Sequence, residues 1–268
     1  MLKIPKKVIE RFSNIKMFQQ VATAHKARDV SEADTVTLVK DMLSGVFGFD
    51  KYGELTSEQQ IRGTFCDLAV KIDGKIRYLI EVKAAAVDLN DTHLRQAINY
   101  GANQGIEWVV LTNSIDWRLY RIKFGQPITH DLVSSVNIFE LNLKNEDHQN
   151  KLFLLCREGL TSDAMSNFHN RAQLFNQYTV AQVVMSPAII SALRRELKKL
   201  YPELKVDENQ LGDLVTNEVL KRDVVDSENA KEAAQKTKRI QSKLAKATSS
   251  KPQKKEQTEL IGNGSDIT

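Results

Sequence analysis

The apolar positions change period several times along the chain, and each change marks an element. After Pro5, the residues Val8, Ile9, Phe12, Ile15, Met17 and Phe18 recur at helical spacing and predict a helix to about Lys26. Asp29-Val30-Ser31 interrupts it. Ser31 is a good N-cap, Glu32 and Asp34 put acids in the first turn, and Val36, Leu38, Val39, Met42 and Leu43 give a second helix its buried face before Gly45 and Gly48 end it. The stretch 52–60 reads as a connection, with 58–63 open to an earlier strand. Over 62–83 the period falls to two, in two strands around Asp73-Gly74. Asn90 or Asp91 caps a third helix over 92–104, whose Leu94, Ala97, Ile98 and Gly101 share a face. Trp108–Thr112 is continuously apolar, the pattern of a central strand covered on both sides. A turn at 113–116 leads into an alternating strand over 117–124, and a short edge strand is expected near 137–143. From about Asp147 the pattern is helical, over 152–159, 163–175, 180–184, 188–201 and 209–221, with Pro187 and Pro202 as punctuation.

Helix, strands, helix, strand, strand predicts an α/β fold with a mixed sheet flanked by helices. The expected organisation is a domain over 1–146, a small helical appendage over 147–226 and a basic polar tail over 227–268. The tail reads as a lone solvated helix to about Ala247 and as disordered from Ser249 onward.

The hairpin over 62–83 carries acids among its apolar residues, and its register decides what they face. Matching Cys66, Leu68, Val70 and Ile72 to Ile76, Tyr78, Ile80 and Val82 pairs Ile72 with Ile76, Val70 with Tyr78, Leu68 with Ile80 and Cys66 with Val82. The loop is then Asp73, Gly74 and Lys75, because a two-residue loop would slip the register and turn one strand's apolar side the wrong way. This register sets Asp67 opposite Glu81, with Cβ atoms about 4.5–5.5 Å apart, where like charges are unfavourable. A divalent cation between them reverses that penalty, since hard cations take carboxylate oxygens. Glu81 and Lys83, two apart on a strand, share a face, which sets the lysine beside the acids, placed to hold a phosphate or orient a water.

Composition narrows the function further. The 268 residues are 41% hydrophobic and 27% charged, the balance of a globular protein. No apolar run approaches the roughly 20 residues of a membrane-spanning helix, and the first residues lack the apolar core of a signal peptide. Cytoplasmic residence is expected by default, with no membrane partner. Cys66 and Cys156 make no disulfide framework and show no metal-ligand spacing, so both read as small buried hydrophobes. The net charge is +4, but residues 231–255 hold nine Lys/Arg and one Glu, leaving the rest about −4. That division suggests a sticky tail on a mildly acidic body more than a broad DNA-binding surface.

With these residues in view, the chain resembles the PD-(D/E)xK nuclease superfamily, and within it the N-terminal nuclease domain of type I restriction enzyme R subunits. The resemblance rests on Glu32 in the second helix, Asp67 on a strand, Glu81-Val82-Lys83 on the next, and Gln96-Ala97-Ile98-Asn99-Tyr100 on the following helix. It covers about 28–125. The proline that names the superfamily is Cys66 here, and no Gly-x-x-x-x-Gly-Lys-Ser/Thr phosphate loop or helicase motor follows.

The resemblance implies a restriction-endonuclease-like fold and hydrolysis of DNA phosphodiesters, by an endonuclease in the first place and an exonuclease in the second. Asp67 and Glu81 would bind Mg²⁺, with Mn²⁺ as substitute and the Val82 carbonyl as a further ligand. Lys83 would orient or activate the attacking water. Glu32 would hold a metal-bound water or a second ion, and Gln96 and Tyr100 would contact the scissile strand or brace Lys83. Implied partners are DNA, restriction-modification subunits or a helicase, and a second copy in a homodimer. The rival reading is a catalytically silent nuclease fold that docks to DNA or to a protein.

Three further groups have plain readings beside functional ones. His93 reads as a surface histidine, and Trp108 and Trp117 as packing residues. Arg62 and Arg95 are single arginines near the site, placed to touch phosphate.

Overall fold

The computed structural model describes residues 2–61, 64–203 and 205–249. The expected disorder beyond Ser249, and Arg62, lie outside these residues. The chain divides into two compact units between Asn170 and Arg171.

The first unit opens with α1 (Lys6–Arg11), a 3-10 turn at Phe12–Asn14 and α2 (Ile15–Ala27), then α3 (Glu32–Gly45). Ser31 caps α3 as expected, its hydroxyl accepting from the Asp34 N–H. Six strands follow in spatial order β1 to β6: β1 (Leu55–Ile61), β2 (Thr64–Ile72), β3 (Lys75–Val82), β4 (Trp108–Thr112), β5 (Asp116–Lys123) and β6 (Thr129–Asn137). Neighbours are antiparallel except β3 and β4, which are parallel. The connection between those two carries a 3-10 turn at Asp91–Leu94 and α4 (Arg95–Gln104). The sheet is therefore mixed and flanked by helices, as the element order predicts.

Each face of the sheet has its own core. Leu68, Val70, Tyr78, Ile80, Val82, Val110, Trp117 and Leu119 belong to one cluster with α1, α2 and α3. Ala69, Leu79, Val109, Leu111, Tyr120 and Ile122 belong to the other, with Leu94, Ala97, Ile98 and Tyr100. All five residues of β4 are buried, because strands alternate their side chains between two covered faces. Both tryptophans pack in the core, and Trp117 Nε1 donates to the Ser114 carbonyl at 3.0 Å.

The hairpin turn differs from the expected one. Ile72 pairs with Lys75, so the loop is only Asp73-Gly74. Both residues have positive φ, 52° and 73°, as a two-residue hairpin turn of this kind requires. The slip that such a loop imposes is absorbed between Val70 and Lys71, where Arg77 is the extra residue of a bulge. Beyond the bulge the apolar matching holds, with Val70 opposite Tyr78 and Leu68 opposite Ile80.

Two boundaries also move. The edge strand is Thr129–Asn137, and the segment expected to be a strand near 137–143 begins with a 3-10 turn at Ile138–Glu140. Asn137 stops the strand by accepting the Phe139 N–H on its side chain. After it come α5 (Glu146–Leu154), α6 (Arg157–Thr161) and α7 (Ala164–Leu174). Leu152, Phe153, Leu154, Cys156, Leu160 and Met165 are buried in the first unit's core. These helices are thus part of the sheet domain, and the unit boundary falls 24 residues later than the expected 146.

The second unit contains α8 (Gln177–Val184), α9 (Pro187–Leu200), α10 (Glu208–Leu214), a π turn at Val215–Val219, α11 (Arg222–Asp226) and α12 (Glu228–Ser249). Ile190, Leu211 and Val215 form its small core. The helix expected to be solvated on every side is not: α12 packs on α8 and α11, with Ala230 and Ala233 buried.

Candidate functional site

Glu81 and Lys83 lie where β3 ends beside the end of β4. The carboxyl ends of parallel strands are where ligand crevices form in sheets of this kind. The Lys83 N–H donates to the Thr112 carbonyl at 2.8 Å, which fixes the lysine's main chain on β4. Its ammonium lies 2.8 Å from Glu81 Oε1 and 3.3 Å from Glu32 Oε2. Glu32 comes from the first turn of α3. That turn is tied to the segment after Lys83, because the Ala85 N–H donates to the buried Thr35 hydroxyl at 3.2 Å. That bond and the Lys83–Glu32 contact connect the helix bearing Glu32 to the segment that follows β3.

Asp67 joins this group by a different route from the expected one. The β2–β3 ladder ends at Leu68 and Ile80, and the Val82 N–H donates instead to Asp67 Oδ2 at 2.7 Å. The aspartate therefore sits across from the Glu81–Val82 peptide without forming a ladder pair with Glu81. Cys66 leaves the apolar face assigned to it and packs in the second cluster, with Ala69 and Leu79. Its thiol contacts the carbonyls of Leu68 and Ile80 at 3.5 and 3.3 Å. A side-chain acceptor replacing a main-chain one at Asp67 is the physical reason the alternation fails there.

The electrostatics follow from burial. Glu81 is 5% exposed. Burial pushes its carboxyl up to about 7 despite the hydrogen bond from Lys83, and Asp67 and Glu32 add repulsion. Burial pulls the Lys83 ammonium down, but Glu81, Glu32 and Asp67 outweigh it and leave the group raised. Burial, with both acids nearby, pushes the Cys66 thiol up to about 12, so it is an inert neighbour.

Gln96 and Tyr100 separate. Gln96 is exposed on α4, whereas Tyr100 is 1% exposed and its hydroxyl has no hydrogen-bond partner among the described residues. A buried phenol cannot touch a DNA strand, and the partners of Lys83 are Glu81 and Glu32. The expected role of Tyr100 in binding or bracing is therefore corrected: the residue packs between α4 and the sheet. His93 closes a capping box with Asn90, a structural use of a surface histidine.

Compared with protein-family models, curated proteins and solved structures, the chain matches none.

One residue on the site's face escapes a reading that lacks strand pairing. Glu81 is opposite Leu111, and Leu111 is opposite Arg118. Laterally paired residues project to the same face, so Arg118 lies on Glu81's face two strands away, about 10 Å. Only the parallel pairing of β3 with β4 brings Arg118 near, and nothing in the local sequence signals that pairing.

The donors at the site are hard oxygens. Among the described residues no three His, Cys, Asp or Glu side chains gather closely enough to hold an ion by themselves. Two carboxylates with a main-chain carbonyl and waters is a set that suits Mg²⁺, which keeps several waters when protein-bound. The buried Glu81 beside Asp67 carries the repulsion that such an ion would relieve.

Proposed function

We propose that this chain hydrolyses DNA phosphodiester bonds with Mg²⁺, as its resemblance to PD-(D/E)xK nucleases implies. The observation that carries the reading is Lys83 held between Glu81 and Glu32 at 2.8 and 3.3 Å, with Asp67 bonded to the adjoining Val82 N–H. A structural role alone gives little reason to gather two acids on one half-buried lysine at a strand end, with a third bonded to the adjoining main chain.

Asp67 and Glu81 would hold the ion, with the Val82 carbonyl as a third oxygen. When bound, Mg²⁺ lowers the pKa of a water and neutralises charge growing on the phosphate. Lys83 keeps its proton at neutral pH, because its acid neighbours raise it. It therefore acts by holding the attacking water and the phosphate oxygens, a fixed charge aimed at the reacting group. Glu32, more exposed than Glu81, orients Lys83 and is placed to accept a proton from a water. Arg118 would bind a neighbouring phosphate of the same strand, and Gln96 remains an exposed contact on α4.

Purified protein incubated with duplex and single-stranded DNA and Mg²⁺ or Mn²⁺ tests this. Cleavage should fall by about 100-fold or more in Lys83→Ala and Glu81→Gln. Arg118→Gln should raise KM and leave kcat near wild type, because it removes ground-state binding. Uncut DNA with wild type, or equal cutting by Lys83→Ala, overturns the reading and favours a silent docking module.

A further inference from the structure

We propose that α12 is a docking surface for the phosphate backbone of duplex DNA, separate from the cleavage site. The choice of DNA among polyanions rests on the function proposed above. The docking itself rests on α12.

The helix divides its residues by face. Ala230 and Ala233 are buried, Ala234 and Thr237 are half-buried, and the residues between them are exposed. This i, i+3, i+4, i+7 pattern is one side of a helix laid on its neighbours, here α8 and α11. The six basic residues of α12 are Lys231, Lys236, Lys238, Arg239, Lys243 and Lys246. At 3.6 residues per turn Lys231, Lys236, Lys238 and Arg239 fall within an arc of about 160°, away from the alanines. Its two acids, Glu228 and Glu232, are confined to its start, and from Ala233 to Ser249 there are five basic residues and no acid. Lys231 pairs with Glu228 at 2.6 Å and Lys236 bonds the neutral Gln173 side chain. The remaining basic side chains in the described part, Lys238 and Arg239, project into solvent.

The partner is a polyanion, and the apolar side of the helix decides which. A helix that lies in a membrane surface inserts large residues such as Trp, Phe and Leu. Here the apolar side is alanine and is already covered by α8, and the only large apolar side chain over 228–242 is Ile240. Ile240 is exposed but stands alone, and one such side chain is too little to anchor a helix in lipid. A row of cations without an apolar wedge fits regularly spaced phosphates, which bind through charge and counterion release.

The test uses the full chain in EDTA, so that cleavage plays no part. Fluorescence anisotropy with a labelled DNA duplex over a salt series gives Kd and the slope of log K against log salt. Replacing Lys231, Lys236, Lys238 and Arg239 by Gln should weaken binding at least tenfold and flatten the slope by about 3 to 4, near 0.9 per lost phosphate contact. Arginine at the three lysine positions should retain binding. Gln at Lys3, Lys7, Lys16 and Lys26, an equal charge loss on the first unit, should leave it nearly unchanged. Circular dichroism checks that each variant keeps its helix content. Vesicles rich in anionic phospholipid should not bind. The proposal is overturned if the α12 variant binds as wild type, if the control variant loses as much, or if vesicles bind and DNA does not. Loss of cleavage in Glu81→Gln with binding intact would leave this surface standing, and an inactive wild type that still binds through α12 would sink only the catalytic reading.

Discussion

Burial raises the proton affinity of Glu81 from an ordinary 4.5 to about 7, and this has a sign that can be worked out. Between those values the folded protein holds a proton that the unfolded chain has released. Stability therefore falls as pH rises from about 4.5 and reaches its low plateau above about 7. For this group alone the loss is about 3 kcal/mol. Urea unfolding in EDTA at pH 5 and pH 8 should show the decline in wild type and a smaller one in Glu81→Gln, which has no charge to bury. If Asp67 and Glu81 hold Mg²⁺, adding it at pH 8 should restore stability to wild type only, since an ion that binds only the native state stabilises it by mass action. Asp67 needs two variants, because its carboxylate also satisfies the Val82 N–H. Asp67→Ala leaves that donor without its partner and should cost about 1–3 kcal/mol. Asp67→Asn keeps a neutral acceptor and should cost less while still abolishing cleavage. Comparing their melting temperatures with their cleavage rates separates the structural bond from the chemistry.

Elements were legible where the pattern is local. Ser31 at the start of α3, Asn90 before α4 and the apolar run of β4 each announce themselves through neighbouring residues. The hairpin shows where that stops. Its faces determine the pairs Leu68–Ile80 and Val70–Tyr78, but a two-residue turn and a matched face are compatible once Arg77 bulges, and a bulge leaves no clear mark in the apolar pattern. The grouping of Glu32, Glu81 and Lys83 was legible, whereas the bond from the Val82 N–H to Asp67, in place of a pairing of Asp67 with Glu81, was not. The burial of Tyr100 was not, because how closely α4 approaches the sheet depends on Gly101. A Cβ there would lie 2.6 Å from Ile122 Cδ1 and 3.0 Å from the Ile106 carbonyl oxygen. The carbonyl belongs to the main chain and yields little. Gly101→Ala gains up to about 1 kcal/mol of helix propensity, and overpacking costs about 1–3 kcal/mol, so a net loss is expected in urea unfolding. Ile122→Val, which removes Cδ1, should recover part of that loss in the double variant, whereas alone in wild type it should only destabilise, by about 0.5–1.5 kcal/mol.

For the whole molecule, the change from strands to helices near Asp147 is a change of element type without a change of domain. Periodicity reports which face of a helix is apolar, but says nothing about which core receives it. Leu152, Phe153, Leu154, Cys156, Leu160, Ala164 and Met165 are all nearly inaccessible and belong to the core on the α1–α3 face of the sheet. The ties are polar as well. Arg11 on α1 makes two hydrogen bonds to Glu158 on α6, at 2.7 and 3.1 Å, and the Arg157 N–H donates to the Phe47 carbonyl. A fragment ending at 146 would expose those partners and leave Arg11 without its carboxylate. Each large side chain lost from a core costs about 2–5 kcal/mol, so losing several exceeds the 5–15 kcal/mol that holds a typical domain together. A fragment ending at Asn170 keeps all of them. Expressed alone, 1–170 should give a cooperative unfolding transition and dispersed amide resonances, and 1–146 should give neither. A folded 1–146 would show that α5 to α7 decorate the sheet domain and do not complete it. If 1–170 folds and also retains the Glu81-dependent fall in stability between pH 5 and 8, the site is built by the first unit alone, since Glu32, Asp67, Glu81 and Lys83 all lie within it.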